Sequence, residues 1–413
     1  MTLLQLQEET HPRLRPLDFQ AVYHQGQPLW LLRDPLQLTP HQIVFPPALA
    51  TMLPFMDGQH DLAAIHQQLC QQVGEDVEFV VVQEAILALD EAGLLENGRS
   101  DQLKADLLTA YRELPYRAAA LADLSYPADP VQLTSLFDSF GGAEPAQLAW
   151  SGQAIVSPHI DYDRGGRVYA QVWREAKTAV AEADMVLIFG TDHNGGPGTF
   201  TLTRQPYATP YGVLPTETAV IDKVAQAIGP AEAYREELHH RGEHAIELSA
   251  VWLHYTYQKL GLDPKPMIPI LCGSFYHFMG NGQHPAQDDL LMTALDALRQ
   301  ATAGKRVLAV ASVDLAHVGP AFGDQFIMDQ PRRQQVQQAD EGLITAVTRG
   351  QATTFYDQIT AVRDRNRICG FSPVYLMLRY LDSIENGRCV AYAQCPADPE
   401  NHSLVSICGL LLD

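Results

Sequence analysis

His159, His193, Asp314 and His317 each follow a short apolar run by only a few residues. Ala154-Ile155-Val156 leads into Ser157-Pro158-His159. Met185–Phe189 leads into Gly190-Thr191-Asp192-His193-Asn194-Gly195-Gly196, and Val307–Val313 into Asp314-Leu315-Ala316-His317-Val318-Gly319. Imidazole is both the commonest protein metal ligand and the side chain that moves protons near neutral pH. One such histidine is as readily a hydrogen-bonded turn residue. Three arriving independently after apolar runs, with glycines permitting tight turns, predict a metal or acid–base site.

Two further stretches bear on that site. In Arg367-Ile368-Cys369-Gly370-Phe371-Ser372-Pro373, just before a helix start near Pro373, Cys369 could present its sulfur to a metal or be inert core. His240-Arg241-Gly242-Glu243-His244 matches the HxxEH pattern, in which two histidines four apart on a helix bind zinc and the glutamate activates water. Gly242 weakens a helix at its centre. The segment from Glu243 onward reads as the start of an amphipathic helix continued by Trp252 and Leu253. Asp192, Glu243, His244 and Glu247 are therefore expected to orient ligands or substrate, with the zinc-hydrolase reading ranked last.

The elements that must position these residues are strands. Ala154–Val156, Met185–Phe189, Met267–Leu271 and Val307–Val313 alternate with helix-length segments. Such a pattern predicts an α/β domain around a largely buried, mostly parallel sheet, with ligands beyond the carboxyl ends of the strands. Val390–Ala393 and Leu404–Leu412 are expected as late strands. Residues 1–100 form a separate module. In it, Ala21–His24 and Leu29–Arg33 flank a slightly extended hairpin turn, Gln25–Pro28. Helical spacing at Leu62, Ile65, Leu69 and Val73 stops at Gly74, and a second helix carries Val82, Ala85, Ile86 and Leu89 up to Gly93. That inventory is winged-helix-like. Residues 101–125 read as a helical connector, and the larger domain spans 126–413.

Composition bounds the partners. The 413 residues include 28 basic and 49 acidic ones, a formal charge of −21, which disfavours nucleic-acid backbones and anionic membranes. No apolar run is long enough for a membrane span. The polar, acidic N-terminus is unlike a secretory signal, so the cytoplasm is the expected location. Six cysteines without a CxxC pair do not suggest a disulfide framework.

Taken together, Ser157-Pro158-His159-Ile160-Asp161-Tyr162, the Gly190–Gly196 stretch, His240–Leu248, Met267–Phe275, Ser312–Gly319 and Arg367–Gly370 resemble, in order, the motifs of the Memo family, in the bacterial branch called AmmeMemoRadiSam system protein B. The resemblance runs from about Tyr126 to the C-terminus. Arg33-Asp34-Pro35, Met56-Asp57-Gly58 and Leu89–Leu95 resemble a PqqD-like peptide-recognition domain. The family's fold is similar to that of the class III (LigB-type) extradiol dioxygenases, which are non-haem iron enzymes. The resemblance implies His159, His193 and Cys369 as metal ligands, His317 as the acid–base residue and Asp314 beside it. Cysteine stands where the dioxygenases keep a carboxylate, and thiolate shifts the preference among iron, copper and zinc, with iron(II) expected first. Asp161 is a departure to which no role attaches.

Three functions follow as expectations. The first is an iron-dependent redox enzyme acting on a small molecule. The second is a non-catalytic protein that binds a peptide or metal, working with radical-SAM and AMMECR-type proteins. The third is the zinc hydrolase.

Overall fold

The computed structural model describes residues 10–146, 149–381 and 383–413, which fall into two units, one ending at Glu113 and the other starting at Leu114. The first holds an antiparallel sheet of β1 (Asp18–His24), β2 (Gln27–Arg33) and β3 (Ile43–Phe45). Its hairpin is tighter than the sequence suggests. His24 pairs with Gln27, so only Gln25 (φ 50°) and Gly26 (φ 77°) make the turn. Two successive left-handed residues match the right-handed twist of paired strands, which a four-residue turn would not need. The helices Leu62–Val73, Phe79–Glu91 and Gly98–Glu113 follow. Asp61 caps the first and Gly74 ends it in the left-handed conformation. Leu32, Phe45, Ile65, Leu69, Ile86 and Leu89 fill this unit's core.

The second unit is built on strands β4 (Ala154–Ser157), β5 (Met185–Thr191), β6 (Phe200–Leu202), β7 (Tyr207–Thr209), β8 (Gly212–Leu214), β9 (Met267–Cys272), β10 (Val307–Ser312), β11 (His317–Val318), β12 (Gly387–Pro396) and β13 (Leu404–Leu412). The main sheet runs β11-β13-β4-β10-β5-β9-β6, with β12 added to β13; β7 and β8 pair separately. Its centre, β4-β10-β5-β9, is parallel, whereas β6, β13, β12 and β11 join antiparallel. The apolar runs that show no alternation in sequence are those buried on both faces. Ile155, Val186, Ile188, Leu308 and Val310 pack with Tyr169, Trp173 and Trp252 on one side. Val156, Leu187, Phe189, Ala309 and Ala311 pack with Val224, Leu295 and Met377 on the other. The result is a mixed sheet with a parallel centre between two helical layers, in the expected α/β class. Among the described residues no helix is long and apolar enough to cross a membrane.

A buried ion pair ties the start of this unit to its central helix, His244–Leu260. Arg117 and Glu247 are fully buried and joined by a short hydrogen bond. Glu247 also accepts from the amides of Ala120 (3.0 Å) and Leu121 (2.9 Å) and from the Tyr126 hydroxyl. Arg117 donates onward to the carbonyls of His240 (2.6 Å) and Glu243 (3.0 Å). Removing one member strands the other charge out of water, at a cost of about 3–5 kcal/mol. We therefore expect Arg117→Met to lower the unfolding free energy by that order in denaturant titration; an unchanged midpoint would contradict the assignment.

A second buried carboxylate sets a pH dependence. Asp340, in the helix Gln330–Thr348, accepts from the Tyr392 hydroxyl (2.8 Å) on β12, and burial pushes its pKa up to about 6. A raised carboxyl pKa means the unfolded chain ionises first. Its contribution is thus fully present only below the unfolded value of 3.8 and is lost as pH rises through about 6, by up to about 3 kcal/mol. Asp340→Asn should gain on the wild type across that window in melts at stepped pH. Parallel pH profiles would count against it.

Candidate metal centre

The parallel register brings the candidate residues to one level. On adjacent strands, Ser312 pairs with Ser157 of β4 and with Gly190 of β5. Two residues beyond that level lie His159, Asp314 and Asp192, and His193 is one further. Cys369 arrives from another part of the chain. Its amide donates to the Leu315 carbonyl (3.1 Å), and the Gly370 amide donates to that of Asp314 (2.9 Å). A Cβ on Gly370 would lie 2.9 Å from Val313 Cβ, so only glycine allows this approach.

Cys369 Sγ thus lies 3.0 Å from His159 Nε2 and 3.4 Å from His193 Nε2. The tautomers follow from the other ring nitrogens. His159 Nδ1 donates to the Ser312 carbonyl (2.9 Å), and His193 Nδ1 donates to Glu243 (3.0 Å). Both Nε2 atoms therefore face one sulfur. Two nitrogens and a thiolate sharing an ion at bond lengths of about 2.0–2.3 Å would sit roughly 3–3.6 Å apart. The donor set fits a first-row transition ion. His193 has a 36% exposed side chain, whereas that of His159 is 1% exposed, so the centre opens on the His193 side.

Glu243 anchors His193 and, with His193 and His244, also forms a group of donor atoms close enough to hold an ion. It ends the short helix His239–Gly242 and caps the next, accepting from the amides of His244 (2.7 Å) and Ala245 (3.0 Å). It also takes the His193 amide (3.0 Å) and lies 3.0 Å from His244 Nδ1. Burial opposes its charge, but His193 and His244 outweigh burial and hold the carboxyl well below the usual range. Burial likewise opposes a charged His193, and Glu243 and Cys369 prevail, raising it. His159 goes the other way, lowered by burial and then by His193 and His244. The His244 ring stacks on His193, with centroids 4.6 Å apart.

Asp314 and His317 stand beside this set. Asp314 accepts from the amides of His159 (3.0 Å) and Ile160 (3.1 Å), and its second oxygen lies 3.8 Å from His159 Nε2. His317 Nδ1 donates to the Leu315 carbonyl (3.1 Å), and burial lowers its pKa despite Asp314, leaving the ring neutral at pH 7.

Other expectations are revised. Glu247, expected to orient ligands or substrate, has both oxygens committed to Arg117 and its neighbours. One helical turn beyond Glu243, it is carried into the packed layer and away from the open centre. The HxxEH reading fails because Gly242 ends one helix and Glu243 begins another. His240 is fully buried, bonded to the Tyr207 hydroxyl (2.6 Å) and the Thr201 carbonyl (3.1 Å). Asp161 caps the helix Tyr162–Glu175 and binds Arg164. Asp192 pairs with His239, a partner no sequence pattern pointed to.

An α/β sheet with a parallel centre, and two imidazoles and a cysteine gathered beyond its strand ends, makes a candidate metal site. The profile of Memo-like proteins matches residues 117–411, and the chain belongs to the Memo family. It is 22% identical to a MEMO1 family protein of Aquifex aeolicus over 97% of this chain and 99% of that one. Another, from Methanosarcina mazei, is 26% identical over 63% of this chain and 85% of its own length. A third, from Thermus thermophilus, is 25% identical over 65% and 74%.

If Glu243 fixes the His193 tautomer, Glu243→Gln should weaken metal binding about 10–100-fold in competition with a chelator. His240→Gln should leave the affinity of the folded protein unchanged. Equal losses in both variants would restore the HxxEH reading.

Proposed function

We propose that this Memo-family protein is a metal-dependent redox enzyme whose His159/His193/Cys369 centre takes iron(II) first, with copper or zinc as alternatives. The observation that carries the proposal is the pair of Nε2 atoms converging on Cys369 Sγ, each imidazole held by a partner at its other nitrogen. Three protein donors leave positions open for a substrate. When bound, the ion supplies Lewis acidity and, as iron, one-electron chemistry.

The chain's own groups do the rest. His317, neutral and with Nδ1 engaged, offers Nε2 to accept a proton from a small oxidisable substrate. Asp314 holds the backbone of His159 and keeps a carboxylate oxygen beside its ring. The exposed side of His193 admits the substrate, while the apolar layers behind His159 exclude water.

A second reading, a peptide- or partner-binding role, draws on the first unit. There a groove of about 440 Å³ is lined by Leu14, Phe19, Trp30, Leu53 and Met56. Such a surface suits an apolar peptide segment, and a PqqD-like domain would use it for one. On this reading the protein is a component of a modification system with radical-SAM and AMMECR-type partners, and the expected setting is the cytoplasm. Phe19→Ser/Trp30→Ser in the full chain should then abolish co-purification with such a co-expressed partner. Retention would remove the groove from consideration.

For the metal itself, anaerobically prepared protein should carry about one iron per chain, and the His159→Ala/His193→Ala double variant none. Wild-type protein that neither contains nor takes up stoichiometric metal would overturn the proposal.

A further inference from the structure

Asp192 and His193 are consecutive, yet they serve different neighbours. His193 turns towards Cys369 and Glu243. Asp192 turns towards His239 and Glu236, with its oxygens 2.8 and 3.0 Å from His239 Nδ1. One donor atom from each of Asp192, Glu236 and His239 lies within 4.8 Å of the others. The side chains of Asp192 and His239 are 0% and 9% exposed, and Glu236 beside them is half-buried.

The loop is shaped around these groups. Asp192 also accepts the Asn194 amide (3.1 Å), and Glu236 accepts the Gly196 amide through both oxygens (3.1 and 3.3 Å). A Cβ on Gly195 would lie 2.7 Å from Asp192 Cγ, and one on Gly196 2.9 Å from Glu236 Oε1. A side chain at Gly195 would displace Asp192, so a glycine there lets its carboxylate close on the His239 ring.

We infer that Asp192, Glu236 and His239 form a second cation site, separate from the thiolate centre and suited to a hard divalent ion of the manganese(II) type. Two carboxylates and one imidazole are the ligands such an ion prefers, whereas the thiolate centre favours softer metals. The 2.8–3.0 Å separations between Asp192 and His239 are those of neighbouring donors on one ion with bonds of about 2.1 Å. Binding exchanges the Asp192–His239 hydrogen bond for two metal bonds and offsets the negative charge that Glu236 adds beside the buried Asp192. Because Asp192 adjoins His193, the filled site also fixes the loop that delivers a ligand to the first centre.

The test uses the full chain and two probes. Manganese(II) is titrated by equilibrium dialysis, and cobalt(II) reports the Cys369 centre through its thiolate absorption. Wild-type protein and Cys369→Ala should both bind one manganese(II) per chain. His239→Ala and the gentler Glu236→Gln should bind it at least about tenfold more weakly, while both keep the cobalt–thiolate band that Cys369→Ala loses. That retained band shows the variants are folded. Manganese(II) affinity that is the same in wild type, His239→Ala and Glu236→Gln would overturn the inference and leave an ion pair that only shapes the loop. Loss of manganese(II) in Cys369→Ala would also overturn it, by assigning the ion to the first centre.

Discussion

The parallel pairing of β4, β10 and β5 is the constraint on which the site depends. Hydrogen bonds between these strands put Ser157, Ser312 and Gly190 at one level. His159, Asp314, Asp192 and His193 then follow within three residues of that level. A one-residue slip would turn each side chain to the opposite face of the sheet and disperse the histidines. The slip is resisted from both sides, because alternate residues of every central strand pack into two different apolar layers. The same packing that stabilises the fold therefore sets the geometry of the donors.

A second tier of interactions fixes how the donors point. The Ser312 carbonyl and the Glu243 carboxylate claim the Nδ1 atoms of His159 and His193, which aims both Nε2 atoms at Cys369. Glu243 can do this because it sits at a helix N-terminus, where amides and two imidazoles compensate its buried charge. Arg117 holds the carbonyl of that same residue, and Glu247 holds Arg117. A chain of buried polar contacts thus joins the first residues of the Memo match to the orientation of the His193 ring.

Much of this was legible in the sequence, for a physical reason. His159, His193 and His317 stand directly after runs whose unbroken apolarity marks them as central strands, so placing the strands places the histidines. Cys369 had no such mark. Its approach depends on Gly370 lying against Val313, a contact between segments far apart in the chain. The HxxEH spacing misled because it presumes one continuous helix, and Gly242 followed by a capping glutamate divides it. Glu247 misled in a similar way. Nearness to Glu243 along the helix did not tell which side of it Arg117 would occupy. The Asp192–His239 pair spans 47 residues and left no periodic trace.

The central claim is that a single ion is held by two imidazoles and a thiolate. X-ray absorption at the metal edge of iron-loaded protein tests it most directly. It should show one sulfur neighbour at about 2.3 Å with nitrogen neighbours near 2.1 Å, and the sulfur shell should vanish in Cys369→Ala while the nitrogen shell persists. A coordination shell of nitrogen and oxygen alone in the wild-type protein would contradict the account.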